Sequence, residues 1–269
     1  MSRDEFLWVE KYRPATVSDC ILSSELKETF QQFVDQDNIP NLLLSGTAGV
    51  GKTSIAKAML NEMGCDSIII NGSMKGNIDT LRTEIQQYAS TVSLAGGRKY
   101  VILDEADYLN PQSTQPALRN FMEEFSRNCG FILTCNFVNR IIDPLQSRCS
   151  VINFSIPKDE KPKMAADFYK RVKMILENEN VQYDNKVVAE IIKRYFPDFR
   201  KVLNELQRYG ASGTIDSGIL ARISDLSIDE LITSLKNRKF PEVRNWVANN
   251  IDNDPETIYR KLYDQASQY

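Results

Sequence analysis

Short apolar runs alternate with segments of helical periodicity along the first 157 residues of the chain. The apolar runs are predicted to be strands, at 41–45, 67–71, 100–103, 131–134 and 151–154. Between them, apolar residues recur every three or four positions, which is the spacing of one face of a helix. This periodicity predicts helices over 24–34, 52–63, 78–89 and 113–126. Strands that are apolar on both faces and alternate with helices are typical of a parallel sheet covered on two sides, so we predict an α/β domain.

The two ends of the chain depart from this alternation. Residues 6–14 form an aromatic and basic lead-in, in which Pro14 favours an extended conformation for Arg13. After Pro157 only helical periodicity continues, with Asp184 and Asp198 as reasonable N-caps. The predicted helices lie at 159–178, 184–195, 198–209 and 216–224, and three further segments begin near Ile228, Pro241 and Asp254. We therefore expect a small helical bundle followed by more helices.

A glycine-rich loop joins the first predicted strand to the next helix. Residues Gly46 to Thr53 fit the pattern G-x-x-x-x-G-K-[ST] without a mismatch. Glycines allow backbone N–H groups to curl around a phosphate, and the following helix directs its positive end at the same anion. Lys52 can reach the β- and γ-phosphates, and the Thr53 hydroxyl can hold Mg²⁺. The alternative, an ordinary strand–turn–helix, does not need this spacing.

Two carboxylates follow the central apolar strand. Asp104 and Glu105 would lie at the carboxyl edge of a parallel sheet, where such folds bind ligands. Asp104 would hold Mg²⁺, and Glu105 would polarise the attacking water. The alternative is an acidic pair that caps a helix. The preceding strand and the distance from the glycine-rich loop favour the first interpretation.

Four more positions are candidates with open alternatives. Thr134 and Asn136 end the next strand and can lie beside the γ-phosphate, or they can be ordinary turn residues. Arg148 is far along the fold and could reach a neighbouring subunit's phosphates, although a surface arginine is the ordinary alternative. Arg200 could fold back over the nucleotide or form a surface salt bridge.

Composition narrows the possible chemistry. The chain contains no histidine, which excludes Ser-His-Asp and Cys-His catalysis and His-ligated metals. Its five cysteines form no C-x-x-C pair, as expected for free thiols in a reducing cytosol. No apolar run approaches the ~20 residues that span a bilayer, and residues 1–5 lack the features of a signal peptide. We expect a cytoplasmic protein without a membrane partner.

The net charge of −3 argues against a free-standing nucleic-acid binder but leaves room for a local basic strip. Lys75 and Arg82 flank the start of the predicted 78–89 helix. Basic side chains beside a helix N-terminus can contact nucleic-acid phosphates. A charged, solvated helix face is the usual explanation for such residues.

Taken in order, the motifs resemble those of AAA+ sliding-clamp-loader ATPase subunits. Replication factor C small subunits share the series, and the large subunits of T-even-type bacteriophages are more similar. One motif is the glycine-rich loop from Gly46 to Thr53, which is called the P-loop in this family. The others are W-V-E-K-Y-R-P at 8–14, L-D-E-A-D at 103–107, C-N at 135–136, I-D-P-L-Q-S-R-C at 142–149 and F-P-D-F-R at 196–200. The Ser-Arg-Cys motif is the most family-specific of them.

The resemblance implies a fold, an activity and partners. The fold would be an AAA+ P-loop NTPase with a nucleotide-binding domain at 1–157, a helical lid at 158–225 and a partial helical collar at 226–269. The chain would be a DNA-dependent ATPase subunit that opens a sliding clamp and loads it on primer–template DNA, using ATP and Mg²⁺. Its other partners would be further loader subunits, in a pentamer with a second, smaller subunit type.

The resemblance also implies roles for residues. Nucleotide-binding residues would be Val9, Glu10, Lys11, Tyr12, Arg13, Ile21, Gly49, Val50, Gly51, Lys52, Thr53, Ser54, Asn136 (sensor 1) and Arg200 (sensor 2). Catalytic residues would be Lys52, Glu105 and Arg148, the last acting on a neighbour's site, and Thr53 and Asp104 would hold the metal. Lys75 and Arg82 would contact DNA, and Gln115 and Arg119 would couple DNA contact to the nucleotide site.

Two alternative functions are weaker. Another AAA+ DNA motor, of the branch-migration or initiator type, should carry a DNA-binding domain at its C-terminus, but 228–269 lacks a basic recognition helix or a β-hairpin wing. A non-catalytic structural subunit usually loses a key residue of the site. Lys52, Glu105 and Arg148 are all present, so catalysis is favoured.

Overall fold

The computed structural model describes residues 6–74, 78–91, 93, 97–211, 213–216, 228–249, 258–259 and 262–263. The strands are β1 (Leu42–Ser45), β2 (Ser67–Asn71), β3 (Lys99–Asp104), β4 (Cys129–Cys135), β5 (Ser150–Asn153), β6 (Gln182–Tyr183) and β7 (Thr214–Ile215). The helices are α1 (Trp8–Lys11), α2 (Ser24–Asp35), α3 (Lys52–Glu62), α4 (Ile78–Ala89), α5 (Thr114–Glu124), α6 (Asp143–Gln146), α7 (Lys161–Asn178), α8 (Asn185–Tyr195), α9 (Phe199–Gly210), α10 (Ile228–Lys236) and α11 (Phe240–Asn249). Short 3₁₀ helices cover Ala106–Tyr108 and Val138–Arg140.

Five strands form one parallel sheet in the order β2-β3-β4-β1-β5. Every residue of β1 and of β4 is buried, which explains why both segments are apolar at nearly every position. The predicted parallel α/β sheet is confirmed. Because β1 lies beside β4, and β4 beside β3, the carboxyl ends of these three strands meet at one edge.

The sheet separates two apolar cores, and alternation along each strand assigns its side chains to them. In β1, Leu43 packs into the core beneath α4 and α5, whereas Leu42 and Leu44 pack into the core with α2 and α3. Phe131 and Ile132 of β4 divide in the same way. The strands that carry site residues are therefore packed on both faces, which fixes their ends in place.

A helical unit follows β5. Helices α7, α8 and α9 surround a core that includes Phe168, Ile175, Ile191 and Leu206. The predicted N-caps are confirmed, since Asp184 accepts a hydrogen bond from the N–H of Lys186 at 2.8 Å and Asp198 from that of Lys201 at 2.9 Å.

The expectation of helices alone after Pro157 is wrong. Strands β6 and β7 pair in parallel, joining Gln182 to Thr214 and Tyr183 to Ile215. Each strand has two residues, which is too short for a period-2 pattern to be visible in the sequence. The pair ties the segment between α7 and α8 to the segment after α9.

The lead-in also differs from expectation, because it contains a helical turn that belongs to the helical unit's core. Trp8 is 5% exposed and packs among the core residues of α7, α8 and α9. The backbone N–H of Trp8 donates to Oε1 of Gln207 at 3.0 Å. Farther along, Lys11 and Tyr12 each donate to Oε1 of Glu179 at 2.6 Å. Four residues are too few for helical periodicity to identify α1.

Helices α10 and α11 begin close to the predicted positions. They pack on each other through Leu231, Ile232 and Trp246. Three predictions fall outside the described residues, in whole or for the most part. They are the helix predicted at 216–224, of which only residue 216 is described, most of the helix predicted from Asp254, and the boundary predicted at 226. Within the described part of the chain, no helix combines the length and apolar character needed to cross a membrane.

Candidate active site at the carboxyl edge of the sheet

A cavity opens at the carboxyl edge of β1, β3 and β4 and is covered by α7 and α9. Thirteen of the predicted site residues line it: Val9, Tyr12, Arg13, Ile21, Gly49, Gly51, Lys52, Thr53, Ser54, Asp104, Glu105, Asn136 and Arg200. They come from six separate stretches of the chain. The fold therefore gathers the P-loop and both strand-end motifs around one space.

Lys52 is the buried cation of this cavity. It is 8% exposed, and its Nζ donates to the carbonyl oxygens of Gly46 at 2.7 Å and Thr47 at 2.8 Å and to Oδ1 of Asn136 at 2.9 Å. Burial lowers the pKa of Lys52, and the nearby Asp104 carboxylate acts in the opposite direction. An ammonium ion held by neutral acceptors is positioned to receive a phosphate oxygen in exchange.

One oxygen joins the strand-end residues. Oδ1 of Asp104 accepts hydrogen bonds from the hydroxyls of Thr53 at 2.6 Å and Thr134 at 2.5 Å. The Thr134 hydroxyl in turn accepts from the Glu105 N–H at 3.1 Å. Glu105 has φ +56°, a left-handed conformation that is uncommon for a non-glycine residue and is enriched at functional sites. Thr134 thus fixes the backbone from which both acidic side chains extend.

The donor set fits a magnesium ion brought in with a nucleotide. Mg²⁺ prefers hard oxygen ligands and is usually held by one or two carboxylates together with substrate phosphates. The Thr53 hydroxyl and the Asp104 carboxylate are already 2.6 Å apart. Both line the same cavity as Lys52.

The lead-in also contributes residues to the cavity lining. Arg13 donates from Nη1 to Oγ of Ser54 at 3.1 Å and pairs with the Glu10 carboxylate at 2.5 Å, which lowers the pKa of Glu10. Three predicted nucleotide-binding residues that the structure describes do not line the cavity: Glu10, Lys11 and Val50. Glu10 instead positions Arg13, Lys11 bonds to Glu179, and Val50 packs into an apolar core.

The helical unit touches the P-loop directly at Gly49. The N–H of Phe199 donates to the Gly49 carbonyl at 3.1 Å. Gly49 has φ +75°, and a Cβ at this position would lie 1.8 Å from Oδ1 of Asp198. Glycine is therefore required both for the backbone conformation and for this approach. The contact places Arg200 at the cavity, where its side chain is exposed.

Sequence reasoning missed three residues of this region. Asp107 is 6% exposed, and its Oδ2 accepts from the N–H groups of Asn136 and Phe137, each at 3.2 Å, so it orders the end of β4. Its position in the run L-D-E-A-D was the available signal. Arg171 reaches the cavity only through the packing of α7, for which the local sequence gives no signal. Asp198 was predicted only as an N-cap, and it reaches the P-loop through the packing of α9.

Arg148 lies away from its own cavity. Its Nε donates to Oε1 of Glu123 at 2.8 Å, its Nη2 contacts the same oxygen, and its Nη1 donates to the Pro144 carbonyl at 2.7 Å. Gln115 is fully buried on α5. Arg119 is half-buried on the same helix, and Arg82 is exposed on α4. Lys75 lies outside the described residues.

Comparisons with known proteins agree with this geometry. Residues 42–156 match the ATPase family associated with various cellular activities (AAA), and residues 160–221 match the sliding-clamp-loader large subunit, AAA+ ATPase lid domain. A solved Thermotoga maritima RuvB, described as a Holliday junction branch migration motor, has TM-score 0.64 at 15% identity over 84% of this chain and 80% of that chain. At this identity the likeness shows the fold alone. Fold and site define an AAA+ P-loop ATPase.

Proteins with higher sequence identity to this chain narrow the class of AAA+ ATPases to one family. The sliding-clamp-loader large subunit of Enterobacteria phage T4 is 39% identical over 91% of this chain and 78% of its own length. The sliding-clamp-loader large subunit of Escherichia phage RB69 is 38% identical over 89% of this chain and 76% of its own length. The replication factor C small subunit of Archaeoglobus fulgidus is 37% identical over 85% of this chain and 72% of its own length. The chain therefore belongs to the sliding-clamp-loader family of AAA+ ATPases and is an ATP-hydrolysing enzyme. The family resemblance of the motifs is confirmed, and the two alternative functions are not favoured.

Proposed function

We propose that this chain is the ATPase subunit of a clamp loader that opens a ring-shaped clamp and loads it on primer–template DNA. Its relatives are clamp-loader subunits over most of its length. The observation that carries the proposal is the position of Arg148. The cavity gathers Lys52, Asp104, Glu105 and Arg200, whereas Arg148 lies elsewhere on the chain. An arginine outside the cavity of its own subunit is available to complete the site of a neighbouring subunit.

Within one subunit, each residue has a separate task. Lys52 and Arg200 bind phosphate oxygens, and Thr53 and Asp104 hold Mg²⁺, which neutralises charge on the β- and γ-phosphates when bound. Glu105 accepts the proton of the attacking water, since the chain has no histidine for this role. Asn136 bonds to Lys52 and lies where it can orient that water. Val9, Tyr12 and Ile21 provide the apolar wall for the base.

Between subunits, Arg148 enters the neighbour's cavity and stabilises transition-state charge. Lys75 and Arg82 contact the DNA, and several copies around one channel add up weak phosphate contacts to a salt-dependent affinity. Gln115 and Arg119, both on α5, couple DNA contact to the nucleotide site. The assembly is a pentamer with a second, smaller subunit type.

The test is the ATPase rate of the assembled loader with and without clamp and primed DNA. We expect both to be needed for full stimulation. Lys52→Ala should abolish ATP binding, and Glu105→Gln should bind ATP and clamp without turnover. Arg208→Ala is a control, because Arg208 forms a surface pair with Glu205. Clamp and DNA failing to stimulate the rate jointly would contradict clamp loading.

The trans assignment needs a mixing experiment. Subunits that carry Arg148→Ala are assembled with subunits that carry Lys52→Ala, so that each site is marked by the variant it contains. Only the Arg148→Ala subunits can bind ATP in this mixture, and the neighbouring Lys52→Ala subunits still supply Arg148 to them. We expect these sites to retain turnover, whereas a mixture without turnover would show that Arg148 acts in its own subunit.

A further inference from the structure

The guanidinium of Arg148 is fully engaged within its own subunit. All three of its nitrogen atoms have an acceptor: Nε and Nη2 contact Oε1 of Glu123, and Nη1 donates to the Pro144 carbonyl. The Pro144 carbonyl belongs to α6, the helix that precedes Arg148. The side chain is therefore folded back on its own element, with its planar fork occupied.

The ion pair is positioned for exchange. The side chains of Arg148 and Glu123 are 33% and 56% exposed. Exposed ion pairs contribute little to stability, because water screens them and two long side chains must be ordered. A phosphate group carries more charge than one carboxylate and offers more acceptor oxygens, and arginine binds it with two parallel hydrogen bonds. Phosphates buried between two subunits would displace Glu123.

Helix α5 holds the Arg148 segment at a second point. Gln115 is fully buried, its Nε2 donates to the Arg140 carbonyl at 2.9 Å, and its Oε1 accepts from the Ile142 N–H at 2.8 Å. Gln115 and Glu123 are eight residues apart on the same helix. One helix therefore contacts both the backbone that enters α6 and the arginine that follows it.

Arg119 lies between these two residues and gives the released carboxylate a second partner. It is four residues from Glu123, the distance at which side chains on a helix meet. Its Nε is buried and has no hydrogen-bond partner among the described residues. The positive charge of Arg119 also contributes to lowering the pKa of Glu123, after the larger effect of Arg148. Glu123 can therefore pass from Arg148 to Arg119 without losing a cationic neighbour.

We propose that Glu123 is a positioning residue that holds Arg148 within its own subunit, which we call parking. Arg148 leaves Glu123 when the nucleotide of a neighbouring subunit offers it phosphate oxygens. The proposal rests on the trans role of Arg148 given above. Glu123 touches neither the nucleotide nor the reacting atoms. Parking reduces the fraction of time that Arg148 spends in the neighbour's site when clamp and DNA are absent. It therefore lowers the unstimulated ATPase rate and sharpens the response to both partners.

The test uses the assembled loader with Glu123→Gln in every copy of this chain. We expect the ATPase rate without clamp and DNA to rise about twofold to fivefold, the factor within reach of a surface ion pair. The KM for ATP should stay unchanged, because the cavity is untouched, and the fully stimulated rate should also stay unchanged. Glu123→Asp retains the charge and should restore part of the low basal rate.

The matched control is Glu124→Gln, which makes the same charge change at the next, exposed position of α5. It should leave the basal rate unchanged. Equal effects of Glu123→Gln and Glu124→Gln would overturn the proposal, and so would a lower basal rate in Glu123→Gln. With Arg148→Ala present, Glu123→Gln should have no further effect. If Arg148→Ala leaves the neighbour's site intact, the trans role itself fails; if it impairs that site while Glu123→Gln changes nothing, only the parking role fails.

Discussion

Replacing Gly49 with alanine tests the close approach of α9 to the P-loop. The new Cβ would lie 1.8 Å from Oδ1 and 2.4 Å from Cγ of Asp198, distances that require one of the two segments to move. Asp198 cannot move freely, because the same carboxylate caps α9 through the Lys201 N–H. The substitution therefore acts on the P-loop and on the start of α9 together.

The expected cost has three parts. A non-glycine residue at φ +75° costs about 1–2 kcal/mol. Loss of the Asp198 cap costs about 1 kcal/mol. Stretching the hydrogen bond between Phe199 and Gly49 costs about 0.5–1.5 kcal/mol. We expect Gly49→Ala to lower the free energy of unfolding by about 3 kcal/mol.

Gly64→Ala separates strain from collision. Gly64 has φ +64°, close to that of Gly49, but no atom lies within 4 Å of the site of its Cβ. This variant should lose only the conformational part, about 1–2 kcal/mol. Both variants are compared by urea unfolding followed by circular dichroism, with the slope of the transition checked for equality.

A double-mutant cycle with Asp198→Ala identifies the partner. Asp198→Ala alone should cost about 1 kcal/mol through the lost cap. In the double variant the collision is absent, so the combined loss should be smaller than the sum of the single losses by about 1 kcal/mol or more. Additive losses, or equal losses for Gly49→Ala and Gly64→Ala, would refute the close contact.

Two further predictions concern buried polar groups. Thr134→Val removes the hydroxyl shared by Asp104 and Glu105, so we expect a stability loss of about 1–3 kcal/mol and about tenfold slower ATP turnover; Thr114→Val is the control, since the buried Thr114 hydroxyl has no partner in the described part of the chain, and equal losses would contradict the network. Burial raises the pKa of Cys20 and Cys149 to about 12, so at pH 8 only about one thiol in ten thousand is ionised. Labelling of the folded chain by iodoacetamide, resolved by mass spectrometry, should be slow at pH 8 and rise about tenfold per pH unit toward pH 12, whereas rapid labelling at pH 8 would contradict this.

The predictable part of the site came from local patterns. The P-loop and the Asp104–Glu105 pair each follow an apolar strand, and a parallel sheet brings such strand ends to one edge. This is sufficient to place Lys52, Thr53 and Asp104 together. The order of the strands, which puts Thr134 directly against Asp104, depends on pairing that no single segment encodes.

The remaining contacts join segments that are distant in sequence. Asp198 meets Gly49 only because α9 packs over the sheet edge, and Glu123 meets Arg148 only because α5 and α6 lie side by side. In both cases one partner looks like an ordinary surface or capping residue. The small β6–β7 pair was missed for a different reason, since two-residue strands carry no periodic signal.

The burial of Trp8 gives the chain a mechanical linkage. Its indole is part of the core formed by α7, α8 and α9, so that unit is assembled from two pieces separated by the whole sheet. Five residues later, Arg13 bonds to Ser54 in the first turn of α3. A rotation of the helical unit therefore moves the lead-in as well, and the Arg13–Ser54 hydrogen bond transmits this displacement to α3. Two separate connections therefore join the helical unit to the P-loop region. One is the contact at Gly49, and the other is the lead-in that begins at Trp8.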